Sequence, residues 1–150
     1  MKKEMKVIGW REWLSLPDLG IKEIKTKVDT GARTSSLHAF DMEKYKRGGK
    51  DFIKFKVHPE QDNSKKTISC KSQILEYRKV KSSNGQSELR PVILTTVKLL
   101  DEEWPIEITL TNRDEMGFRM LLGRASIKNK FLVNVGKSFY SKKINEKKRK

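Results

Sequence analysis

Cysteine is nearly missing: Cys70 is the single one in 150 residues. That excludes an intrachain disulfide framework and fits a reducing compartment. Long apolar runs are missing too, with no stretch of 18 residues to form a membrane-spanning helix. Val7–Trp10, behind the basic Met1–Lys6, is too short for the core of a secretory signal. The expectation is a cytoplasmic protein with no membrane association. No Gly-x-x-x-x-Gly-Lys-Ser/Thr loop occurs, so a P-loop nucleotide site is excluded. Acids are few, 19 against 34 bases, and the chain carries +15. A field of that size attracts acidic peptides, nucleic acid or ribosomal surfaces.

Apolar residues make up 35% of the chain, enough for one core of ordinary domain size. The last 14 residues, 137–150, hold seven bases and one acid. Such a stretch cannot offset its own ordering entropy. The expected organisation is one β domain over 1–136, followed by a disordered basic tail over 137–150.

The apolar pattern has period two. Ile53, Phe55 and Val57 alternate with polar residues, and so do Ile106, Ile108 and Leu110. Met5–Trp10, Ile24–Val28, Ser69–Tyr77, Pro91–Leu99 and Lys130–Val135 also read as strands. Turns are signalled at Pro17–Gly20, Arg47–Lys50 and Ser83–Gln86, the last with Asn84-Gly85. Only Arg124–Asn129 has helical character. The chain reads as all-β, a barrel or sandwich with one short helix. Trp10, Trp13 and Trp104 read as core or interface anchors.

Two motifs carry chemistry. Val28-Asp29-Thr30-Gly31-Ala32 puts an acid at the end of an apolar strand, followed by a hydroxyl and a glycine. Alone it is an ordinary strand-ending turn. Met120-Leu121-Leu122-Gly123-Arg124 is a second apolar strand ending in glycine, placed before the short helix. In that order, within a β-rich chain, the pair resembles the retropepsin-like aspartic proteases. Further segments narrow the resemblance: Glu12-Trp13, Leu16-Pro17, Thr34-Ser35-Ser36-Leu37-His38, Arg90-Pro91-Val92 and Leu110-Thr111-Asn112-Arg113. From about Ile8 to Val135 the chain is similar to the family labelled ATP-dependent zinc protease and associated with RimK-type ATP-grasp glutamate ligases.

The resemblance implies a closed retropepsin-like barrel. It implies Asp29, Thr30 and Gly31 as the catalytic loop, with Ala32, Gly123 and Arg124 supporting it. Aspartic chemistry needs two carboxylates sharing one proton. One Asp-Thr-Gly per chain therefore implies a homodimer with both Asp29 residues on the twofold axis. Retroviral enzymes follow Asp-Thr-Gly-Ala with an Asp that pairs the later arginine; here that position is Arg33. Arg124 then needs another partner, or the two arginines together receive acidic substrate groups. Ser83, Asn84 and Gly85 form the candidate flap tip, flanked by Arg78 and Arg90, with Arg47–Lys50 as the rival tip.

The zinc label finds little in the residues. His38, His58 and Cys70 are the only soft or borderline ligands, with no His-Glu-x-x-His or Cys-x-x-Cys spacing. No metal and no cofactor is expected, and ATP belongs to the associated ligase. The main reading is a homodimeric aspartic peptidase acting on acidic, glutamate-tailed peptides or proteins, with a RimK-type ligase or a ribosomal protein as partner. The alternative is a non-catalytic basic barrel that binds RNA or ribosome, or serves as specificity partner of the ligase.

Overall fold

The computed structural model describes residues 4–59, 66–81, 85–112 and 117–141. Six strands pair in a closed ring: β2 (Arg11–Leu16), β3 (Ile21–Asp29), β4 (Ser35–His38), β9 (Ser87–Leu99), β10 (Glu102–Thr111) and β11 (Met120–Gly123). Around the ring the order is β10, β4, β11, β3, β2 and β9, and the β9–β10 hairpin closes it. Two of the pairings, β10–β4 and β11–β3, are parallel. The all-β expectation with one short helix holds. That helix, α1 (Arg124–Ile127), is two residues shorter than expected.

Three elements attach to the ring. β8 (Glu76–Lys81) pairs with β9 outside it. β5 (Phe40–Arg47), β6 (Lys50–Val57) and β7 (Ile68–Gln73) make a three-stranded sheet. β1 (Lys6–Gly9) and β12 (Phe131–Asn134) make a parallel pair. The core lies inside the ring and continues under the three-stranded sheet, where Leu14, Ile24, Leu37, Ile53, Phe55, Ile93, Ile108 and Leu122 are nearly free of solvent. Leu14, Ile24, Leu37, Ile53 and Phe55 alternate with more exposed neighbours, as the period-two pattern requires, whereas Ile93 and Ile108 belong to the runs 90–93 and 108–111, which are buried throughout.

Two expectations change. Ser69–Tyr77 is two strands, because the chain changes sheets at Ile74-Leu75. Ile74 N donates to Asp51 O on β6, and Leu75 N donates to Val92 O on β9. Of the stretch expected to be a tail, residues 137–141 dock on the domain. Trp10 N donates to Lys137 O, Phe139 N to Arg11 O, and Tyr140 N to the Glu12 carboxylate. Residues 142–150 lie outside the described residues.

The Arg47–Lys50 turn has Gly48 at φ 60° and Gly49 at φ 78°. Two successive positive φ values are what a tight hairpin of this hand requires, and glycine supplies them without strain.

Candidate active site

β3 and β11 run parallel and in register, so that Gly123 stands beside Asp29. The two halves of the sequence motif thus meet. The loop after Asp29 is pinned to the start of α1 by two backbone bonds, Arg124 N to Ala32 O at 2.7 Å and Ala125 N to Arg33 O at 3.0 Å. The approach is so close that a Cβ on Gly123 would lie 2.6 Å from Thr34 C and 2.9 Å from Arg33 O. Only glycine fits there.

The loop itself is a tight turn. Gly31 N donates to Asp29 Oδ1 at 3.1 Å and Ala32 N donates to Asp29 O at 3.2 Å. The Asp29 carboxylate is half-buried, and Thr30 and Gly31 are exposed. One carboxylate oxygen therefore has a fixed orientation, and the outer edge of the loop faces solvent.

Arg124 finds its partner within the same loop: Nη1 donates to Thr30 O at 2.9 Å. Arg33 takes no part in that bond, although its backbone carbonyl braces α1. Its exposed side chain lines a cleft of about 800 Å³. The cleft runs from the Asp29 loop and α1 to β8 and β10, with Lys79 and Lys81 on one wall and Trp104 on the other. Trp104 is fixed by donating Nε1 to Ser126 O at 2.9 Å and by packing against Phe131.

The flap candidates separate. Arg78 lines the cleft, but its guanidinium is held by Glu76 and by Glu107, at 2.9 Å from the latter. Those contacts, Glu107 first and then Glu76, push its pKa above the ordinary arginine value. Arg90 is buried on β9 and donates Nε to Glu88 at 3.1 Å. Gly85 stands at φ 85° after the β8–β9 tip. Ser83 and Asn84 lie outside the described residues.

Sequence reasoning missed Ser35. It is fully buried, accepts a bond from Gly123 N at 2.9 Å, and lies 2.6 Å from Ser126 Oγ. It ties β4, β11 and α1 together beside Gly123, the register partner of Asp29. Its signal was available: Ser35, Leu37 and Ala39 alternate as one inward row.

The three candidate zinc ligands do not converge. Among the described residues no three His, Cys, Asp or Glu side chains are grouped to hold a metal ion. Cys70 is buried beside Leu19 O, and burial pushes its thiol pKa from 9.0 up to about 11. It is therefore protonated, whereas zinc binds the thiolate. His58 Nδ1 already lies 3.1 Å from Lys66 O. These residues do not fit a zinc site.

The chain thus sets one Asp-Thr-Gly loop in a closed β ring, beside a strand that ends at Gly123 and is followed by Arg124. Residues 7–144 match the RimB-like family, described as retropepsin-like aspartic endopeptidase RimB, and the chain belongs to that family. It is 47% identical over 133 residues to a Shewanella pealeana protein named "Probable alpha-L-glutamate ligase". That match takes in 89% of this chain and 29% of the relative. A Desulfotalea psychrophila protein of the same name is 44% identical over 129 residues, 86% of this chain and 28% of the relative. The chain thus spans less than a third of the length of these relatives. In structure it is similar to Lpg0085 of Legionella pneumophila, a protein of unknown function. There the TM-score is 0.74 at 27% identity, over 92% of this chain and 99% of the other.

Proposed function

We propose that the chain is a cytoplasmic aspartic endopeptidase that works as a homodimer on acidic peptides. One observation carries the reading: the Asp29 loop is braced by Gly123, Arg124 and Ser35, and Asp29 is the single carboxylate within it. Two copies on a twofold axis complete the pair. One Asp29 takes a proton from the attacking water while the other gives a proton to the substrate carbonyl. Thr30, exposed beside the carboxylate, is free to hydrogen-bond across the axis. Gly31 lets substrate approach the backbone.

The cleft supports an acidic substrate. Among the described residues, Arg33, Lys79 and Lys81 have no ion-pair partner, whereas Arg78 is neutralised by its two glutamates. The first three, then, receive substrate carboxylates. The ligase named in the relatives handles glutamate, which favours glutamate tails, such as those a RimK-type ligase adds to a ribosomal protein. The same relatives favour a second reading, a non-catalytic specificity partner of that ligase.

Cleavage of polyglutamate-tailed and plain acidic peptides, assayed over a dilution series, tests both. Specific activity should fall on dilution, because each site draws one Asp29 from each chain. A stable monomer of full specific activity would end the shared-site model. A dimer that cleaves neither peptide would leave the specificity partner in its place.

A further inference from the structure

The three-stranded sheet buries one face and turns the other to solvent. Ile53, Phe55 and Val57 of β6 are buried, and Cys70 of β7 lies opposite Phe55 on the same side. The alternate residues Phe52, Lys54 and Lys56 face outward. Cross-strand partners share a face. Tyr45, Glu43 and Phe40 of β5 therefore join them, with Ser69 and Lys71 of β7. No residue of the Asp29 site lies on this face.

Its rings come in pairs. Tyr45 stacks on Phe52 with centroids 5.5 Å apart and planes at 25°. Phe40 meets His58 at 4.4 Å and 31°. Phe52 lies in β6 and His58 just past its end, six residues on, a span of about 20 Å at the usual strand rise. A groove of about 580 Å³ follows the residues between them in the chain, lined by Lys54, Lys56 and Lys71 together with Asp41, Glu43, Phe55, Ser69 and Cys70. Lys56 pairs with Asp41 at 3.4 Å, and Lys54 Nζ lies 5.2 Å from the Tyr45 ring centre. Lys71 is exposed, and Arg47 and Lys50 extend the positive edge at the hairpin end.

We propose that this face binds single-stranded RNA. Lysines in a groove track phosphates, and flanking rings give bases a stacking platform. An acidic peptide would use the lysines but would gain nothing from the rings and would meet two carboxylates. Those carboxylates suit RNA, since Asp41 and Glu43 accept hydrogen bonds from ribose 2′-hydroxyls, the group that separates RNA from DNA.

The test is fluorescence anisotropy of labelled octauridylate on the full-length chain, against the thymidine deoxyoctamer and a polyglutamate of equal charge. Phe52→Leu keeps apolar volume but removes the stacking ring, and RNA affinity should fall about tenfold. The double variant Lys54→Gln, Lys71→Gln changes two exposed side chains, so it keeps the test alive should Phe52→Leu melt early. It should lower the slope of log affinity against log salt by about 1.4, because two phosphates are no longer neutralised by lysine. The deoxyoctamer should bind more weakly, and polyglutamate should displace RNA poorly. RNA affinity unchanged in both variants would overturn the proposal and place the RNA elsewhere on the basic surface. Equal affinity for the deoxyoctamer would overturn the ribose reading, and equal displacement by polyglutamate would make the face a general anion surface.

Discussion

Glu12 and Asp29 stand on adjacent strands of the ring, and their surroundings are opposite. Glu12 is fully buried and surrounded by donors. Gly9 N donates to Oε2 at 2.7 Å, Tyr140 N to Oε2 at 2.9 Å and Ser141 N to Oε1 at 3.1 Å. The Ser141 hydroxyl lies 3.1 Å from Oε1. A carboxylate so saturated has no lone pair left for chemistry; it fastens Tyr140 and Ser141 to β1 and β2. Gly9 completes the fastening, because a Cβ there would lie 2.3 Å from Lys137 O. Asp29 is half-exposed and receives a single bond, from Gly31 N. Its other oxygen is open to water, substrate or a second Asp29. The contrast sets an acid saturated by donors against one with an oxygen left open.

The largest effect should come from Asp29→Asn. The amide keeps an oxygen to accept from Gly31 N, so the loop and the melting temperature should stay within about 2 °C of wild type, as expected for a partly exposed isosteric change. Peptide turnover should fall by about 10²–10⁴, because neither amide can take the proton from water. A folded, dimeric Asn variant as fast as wild type would sink the aspartic mechanism and favour the binding readings.

Glu12→Ala should show the reverse pattern. Three backbone donors lose their acceptor in a buried place, a loss of roughly 3 kcal/mol or more. Chemical denaturation should report it, while activity per folded molecule stays near wild type. Gly123→Ala is intermediate, since its methyl would press on Thr34 and Arg33. Overpacking of this kind costs about 1–3 kcal/mol. Here the displaced backbone belongs to the Asp29 loop, so turnover should fall further than stability accounts for. Equal losses of both would mean that the loop tolerates the shift.

The motif pair was legible because apolar strand ends and glycines leave a local signature, and the parallel register of β3 with β11 then brings them together. The strands whose pattern is broken were not legible. In β2 the inward row is Glu12, Leu14 and Leu16, so its first buried position reads as polar. β5 is mostly exposed and shows no apolar alternation. Glu12 has its other difficulty in its partners: besides Gly9, the donors that explain its burial are Tyr140 and Ser141, far away in the chain. The Arg78–Glu107 ion pair is of the same kind, since Glu107 lies 29 residues away. The sequence offered Arg78 simply as a residue flanking the candidate flap.

The smallest effect appears only at alkaline pH, and it keeps that limb of the stability profile from being charged to either carboxylate. Cys70 lies on the three-stranded sheet, and burial raises its thiol pKa from 9.0 to about 11. The protonated thiol is the neutral form, so between those values the folded chain holds a proton that the unfolded chain has released. This contribution is complete below pH 9 and fades as pH rises toward 11. By pH 10 the loss amounts to about 1 kcal/mol. Cys70→Ala removes the titrating group. Its stability should start lower at pH 8, because a buried sulfur and its contact with Leu19 O are gone. It should then decline less steeply than wild type from pH 9 to pH 10, by about 1 kcal/mol. Urea denaturation of both proteins at pH 8, 9 and 10 measures the difference. Parallel declines would assign the alkaline limb to the lysines instead, and the buried thiol would have no share in it.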